Sequence, residues 1–84
     1  MGHRDNLLDC ILKMMTDEVV NCRRYASATI LALMTPQNTS HITNFGRGRL
    51  LHTMTKVLAL DQVEEVRINI AEGFFNLVRN SMVQ

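Results

Sequence analysis

Apolar residues along the chain return every three or four positions, the spacing that puts them on one face of a helix. Leu7, Leu8, Ile11, Leu12, Met14 and Met15 form the first such cluster, and Asp5 or Asn6 can cap its start. A longer segment from about Asp17 to Met34 places Val19, Cys22, Ala26, Ile30 and Leu33 on one face, with no Gly or Pro to interrupt it. Thr35-Pro36 ends that helix, because proline disfavours the α conformation in the residue before it and has no N–H to continue the ladder.

The stretch from Asn38 to Phe45 is polar apart from Ile42 and Phe45. Its capping residues predict a brief helical segment, closed by Gly46 in a left-handed conformation and followed by a further bend at Gly48. Leu50, Leu51, Met54, Val57 and Leu58 then restore the helical spacing as far as Leu60. Asp61, with Glu64 three residues on, resembles a capping box and opens a last helix running to about Asn80. No stretch alternates with period two for more than a few residues, so the predicted class is all-α.

Composition narrows the picture further. The 84 residues, 46% hydrophobic and 20% charged, fit one small domain, and its stability depends on neighbours covering part of its surface. Nine Lys and Arg against eight Asp and Glu give a net charge of +1, too little to drive attachment to nucleic acid or an anionic membrane. No window approaches the roughly 18 apolar residues of a membrane span, and no signal-peptide pattern opens the chain. The expected location is intracellular, in cytoplasm or nucleus. Gly2 lacks the Ser or Thr that a myristoylation motif carries at the sixth position, where Asn6 stands. The Asn38-Thr39-Ser40 sequon has no meaning without secretion.

A repeat lies beneath the helical pattern. Asp17-Glu18-Val19-Val20-Asn21-Cys22-Arg23 is similar to Asp61-Gln62-Val63-Glu64-Glu65-Val66-Arg67 at an offset of 44 residues. The same offset pairs Leu7 with Leu51, Ile30 and Leu31 with Phe74 and Phe75, and Leu33 with Leu77. A period in the low forties with two or three helices per unit is the signature of armadillo and HEAT arrays. The series Asn38, Ile42, Gly46, Leu50-Leu51, Val57-Leu58, Asp61, Val66-Arg67, Ala71, Phe74, Asn76-Leu77 resembles one complete armadillo repeat. Its short first helix and glycine corner favour armadillo over HEAT. Residues 36–80 read as the complete unit, and residues 5–35 as the second and third helices of a preceding one. The implied fold is an armadillo-like α-α superhelix, a fragment of a right-handed helical solenoid.

That resemblance implies a protein-interaction module or scaffold, binding an extended peptide or a partner protein on the concave face of the third helices. In the family, an Asn near the end of the third helix commonly binds the peptide backbone, and Asn76 stands there. Glu65, Asn69, Glu72, Asn76 and Asn80 form a polar stripe at intervals of three or four. The offset sets Asn21, Tyr25, Ala28 and Ala32 beside it, with Tyr25 as the one aromatic anchor. The candidate binding residues are therefore Tyr25, Glu65, Asn69, Glu72 and Asn76. Ala32 replaces the Asn in the first unit, and Ala28 and Glu72 stand where an aromatic is common, so a groove of paired Trp and Asn is not expected.

Chemistry other than binding finds little foothold. His3, His41 and His52 share no ligand spacing with each other or with Cys10 and Cys22, so no metal or other cofactor is expected, and the cysteines read as small core residues. No Ser or Thr sits in a nucleophile motif, and the chain does not read as an enzyme. Gly46-Arg47-Gly48-Arg49 lacks the strand and spacing of a phosphate loop. Met14, Met15, Met34 and Met54 occupy core positions. Two alternatives stay open: a nucleic-acid binder using Arg23, Arg24, Arg47, Arg49 and Lys56, and a purely structural unit of a longer solenoid. Pairing of these cations with Asp17, Asp61 or Glu64 is the simpler expectation. Because roughly three stacked repeats are needed for stability, the chain is expected to self-associate or to stack on further repeats.

Overall fold

A computed structural model of the chain describes residues 3–82, and these form five helices: α1 (His3–Met14), α2 (Val20–Leu33), α3 (Pro36–Thr39), α4 (Asn44–Leu60) and α5 (Glu64–Met82). There is no strand among the described residues. The helices stack in two layers, with α1 beside α4 and α2 beside α5. Packing between the layers joins α1 to α2 and α4 to α5, and α3 rests against α5. Contacts between α2 and α5 advance together along both helices, from Arg24–Glu65 through Ser27–Asn69 to Met34–Asn80, so the two run parallel.

The shared core explains why the two halves hold together. Leu8, Ile11, Leu12 and Met15 of the first hairpin, with Ala26, Ile30 and Met34, meet Leu50, Met54, Val57, Val66, Ile70 and Leu77 of the second in one continuous cluster. Each fully buried aliphatic side chain in such a cluster contributes roughly 1.5–3 kcal/mol relative to exposure. Gly73 lets α5 approach α2 closely: a Cβ there would lie 3.7 Å from the Leu31 Cα and 3.3 Å from the Met54 Cε.

The 44-residue repeat is visible in atomic detail at the two corners. Asp17 Oδ1 accepts from the Val19 N–H at 2.8 Å, and Asp61 Oδ1 accepts from the Val63 N–H at 2.9 Å. The Arg23 Nη1 donates to the Asp17 carbonyl at 2.9 Å, and the Arg67 Nη1 donates to the Asp61 carbonyl at 2.7 Å. Both aspartates thus build a side-chain turn that leads into the next helix.

Several expected boundaries move. α1 begins at His3, so Asp5 and Asn6 lie inside it and do not cap it. α2 begins at Val20, because Asp17 spends its carboxylate on the preceding turn. The short helix is Pro36–Thr39, not 38–45: Thr35 accepts the Asn38 N–H, and Pro36 sits in the first turn, where its missing N–H costs nothing. Gly46 and Gly48 belong to α4, and no described residue has a positive φ, so there is no glycine corner here. Thr43 starts that helix by accepting the Gly46 N–H at 3.0 Å, a cap that the glycines obscure in the sequence. Asp61 ends α4 and does not cap α5, which starts at Glu64 and continues to Met82.

Burial also corrects some core assignments. Cys10 is exposed and Cys22 half-buried. Met15, Met34 and Met54 are buried and Met14 is half-buried. Val19, Ala71, Phe74 and Val78 are exposed, although the sequence pattern places them on apolar faces.

Candidate functional site

The polar stripe of α5 lies along its seam with α2. At one end Glu65 pairs with the Arg24 Nε at 3.5 Å, both groups well exposed. One turn on, the Asn69 Nδ2 donates to the Oγ of Ser27 at 3.1 Å, and Ser27 is fully buried. The Ser27 hydroxyl itself donates to the Arg24 carbonyl at 2.9 Å. Beyond these, the Asn80 Nδ2 donates to the Met34 carbonyl at 3.2 Å, satisfying an acceptor at the end of α2. Three of the five stripe residues therefore bridge the two helices.

Glu72 and Asn76 are placed differently. They line a shallow cleft of about 480 Å³ with Ala71, Phe75 and Arg79. The Arg79 guanidinium stands over the Phe75 ring, 5.6 Å from its centroid, in cation–π range. The cleft thus offers a carboxylate, an amide, an exposed aromatic face and a cation within about two turns of a single helix.

Tyr25 is 66% exposed and does not join this cleft. Ser27 faces α5, and a residue two positions away lies about 200° round the helix, so Tyr25 points to the opposite flank of α2. The sequence set it beside the Asn stripe through the repeat offset. That offset maps Tyr25 onto Asn69, which in α5 faces the unit before it. Tyr25 accordingly faces the side where a preceding unit would sit.

The basic residues are engaged with the protein's own oxygens. The Arg23 Nε donates to Asp61 Oδ2 at 2.9 Å, its Nη1 to the carbonyls of Asp17 and Glu18. The Arg47 Nη2 donates to the Thr39 carbonyl at 3.3 Å, and Arg49 pairs with Asp9. Arg49 and, more weakly, Lys13 hold the Asp9 carboxyl below the usual carboxylate range, the hydrogen bond from Arg49 being the largest cause. Lys56 instead borders an open cleft of about 560 Å³ between the two corners, together with Asp17, Glu18, Arg23, His52 and Asp61. This cleft carries both signs of charge.

Among the described residues, no group of three or more His, Cys, Asp or Glu is placed to hold a metal ion. His41 and His52 are exposed, and Gly2 and the His3 side chain lie outside the described residues. No described helix is long and apolar enough to cross a membrane. A smaller, mostly apolar pocket of about 150 Å³ lies between Leu7, Leu8, Leu33, Met34, Asn38, His41 and Ile42. The chain matches no protein-family model, no curated protein and no solved structure.

Proposed function

We propose that the chain is a protein-interaction module of armadillo type, a short piece of right-handed helical solenoid that receives an extended peptide or partner segment along α5, its last third helix. The observation that carries this reading is the cleft in which Glu72 and Asn76 stand beside the Phe75 ring and the Arg79 guanidinium. An amide both donates and accepts, as a peptide backbone requires, while an exposed ring and a flanking cation supply the contacts in which interface energy concentrates. Of the other candidates, Glu65 and Asn69 bridge α5 to α2 through Arg24 and Ser27, and Tyr25 lies on the far flank of α2, apart from the cleft.

The nucleic-acid alternative gains no support from the same geometry. Arg23 and Arg47 are held by a carboxylate and carbonyls of the chain and Arg24 and Arg49 sit in partly exposed pairs, so among the described residues Lys56 alone of that set has no intramolecular bond. Phosphate binding needs several such cations to be free.

The test is selection of peptides from a displayed random library on the immobilised chain, followed by binding titrations with Glu72→Ala and Asn76→Ala. The expected result is a loss of at least about fivefold in affinity for each variant, the size of one hydrogen bond. Peptides that bind both variants as well as the parent chain would refute this site.

A further inference from the structure

On α5 the exposed side chains of Ile68, Phe74, Phe75, Val78 and Met82 share one flank with Ala71. At about 100° per residue they span roughly a third of the helix circumference. Such a stripe on a helix ordinarily covers a core. The offset of 44 residues identifies what it matches. Ala71, Phe75 and Val78 correspond to Ser27, Leu31 and Met34, the residues by which α2 grips α5. The flank of α5 that is open is therefore the counterpart of the flank of α2 that is covered.

The opposite end of the molecule carries the matching surface. α5 meets α2 through Asn69 and Gly73. Their counterparts on α2 are Tyr25 and Thr29, and both lie on the flank turned away from α5. Ala28 and Ala32 beside them are exposed and small enough to admit large side chains.

Charge marks the same two ends. Within the chain, Arg23 crosses from the first unit to Asp61 of the second at 2.9 Å. Shifted by one unit, that pair is Arg67 with Asp17 of another molecule. Arg67 donates to the Asp61 carbonyl as Arg23 does to that of Asp17, but has no carboxylate partner among the described residues. Asp17 is exposed, and among the described residues only its Oδ1 is engaged, by the Val19 N–H. The two corners share their turn geometry, and at the joint between copies Thr29 stands where Gly73 does within the chain, with Cys10 in place of the Met54 that crowds Gly73, so the two helices there sit further apart than α2 and α5 do.

We propose that copies of this chain join head to tail by this route, the α5 flank of one copy seated on the α2 flank of the next. Phe75 and Val78 straddle Thr29, Ala71 lies against Tyr25, and Arg67 pairs with Asp17; because Ala71 and Phe75 also line the proposed peptide cleft, a second copy and a peptide compete for this flank of α5. The polar seam pair Ser27–Asn69 becomes the Ala71–Tyr25 contact, so this joint is more apolar than the internal one. Its two faces differ, so the contact does not close on itself and the assembly grows beyond a dimer.

Sedimentation velocity of the full chain over a concentration series tests this, with Tyr25→Glu and Phe75→Glu as variants that each block one face. Both positions are exposed, and helix content by circular dichroism confirms that the variants fold. The parent chain is expected to grow past the dimer with concentration, and each variant alone to remain monomeric. An equimolar mixture of the two is expected to stop at the heterodimer, since each then retains one complementary face. Asp17→Asn is expected to weaken assembly about tenfold, the scale of a hydrogen bond to a charged group. A parent chain that stays monomeric overturns the proposal. A Tyr25→Glu variant that still dimerises overturns it too, by showing the α5 flank pairing with itself, and so does a mixture that stays monomeric while the parent assembles.

Discussion

Arg23 reaches Asp61 across the boundary between the two helical units, Nε to Oδ2 at 2.9 Å, with the two side chains only 17% and 6% exposed. The same guanidinium also donates to the carbonyls of Asp17 and Glu18, so one side chain ties the first corner to the second. Truncating either partner strands a charge in a poorly solvated place. Asp61→Ala is expected to lower the unfolding free energy by about 2–4 kcal/mol, read from urea melts. The exposed pair Arg24–Glu65 provides the contrast, with a coupling at or below about 1 kcal/mol in a double-mutant cycle. Equal couplings for the two pairs would mean that the Arg23–Asp61 bridge is solvated and holds nothing.

That bridge also marks how far the sequence could be read. Helical periodicity found four of the five helices, since Leu50, Met54, Val66 and Ile70 bury as their spacing demands. The offset of 44 residues aligned Asp17 with Asp61, which the structure shows building like turns, and the expected pairing of basic residues with Asp61 is what Arg23 makes. Capping was harder to read. Gly46 and Gly48 suggested a corner, but Thr43 captures the Gly46 N–H and carries the helix through both glycines. Asp61 looked like an N-cap from its spacing to Glu64, and its carboxylate does hold a backbone N–H, that of Val63, but two residues too early to start α5. The roles of the stripe residues depended on which neighbour each one faces. Asn69 and Asn76 lie on the same side of α5, yet one bonds Ser27 and the other borders a cleft. No property of an isolated helix separates them.

Gly48 supplies a clean stability test. It lies in the interior of α4, and a Cβ there meets no atom within 4 Å. Gly48→Ala gains helix propensity and narrows the unfolded ensemble without a clash, so the variant is expected to be more stable by about 0.5–1 kcal/mol. Gly73 sits in the opposite environment, against Met54, Met34 and Leu31. Gly73→Val is expected to cost about 1–3 kcal/mol by forcing α2 and α5 apart. Thermal melts of both variants beside the parent chain settle the contrast, and a stabilised Gly73→Val would show that the seam is loose.

Asn69 and Asn76 are expected to separate in a paired experiment. Asn69→Ala removes the donor to a buried Ser27 hydroxyl and is expected to cost about 1 kcal/mol of stability. Asn76→Ala breaks no hydrogen bond among the described residues and is expected to leave the melting curve within about 0.5 kcal/mol of the parent, while weakening the binding of peptides selected on the chain. The reverse assignment, a stability loss at Asn76 alone, would move the candidate binding residue to Asn69.

The pH response of the α1–α4 contact follows from Asp9. Its carboxyl is held below the usual range chiefly by the hydrogen bond from Arg49, with the charges of Arg49 and Lys13 adding and desolvation opposing. A carboxylate with a lower pKa in the folded chain than in the unfolded one stabilises the fold above the unfolded value, about 3.9 for Asp. That contribution disappears as pH falls through the folded value. Asp9→Asn is therefore expected to melt below the parent at pH 7, with the gap closing progressively once the pH drops under about 4. Arg49→Ala should remove the same pH-dependent part, and added salt should shrink the gap at neutral pH because the pair is partly exposed. Melting curves by circular dichroism from pH 7 down to the acid limit read this directly. A gap that stays constant across that range would show that Arg49 and Asp9 do not pair in solution, and that α1 is held to α4 by its apolar contacts alone.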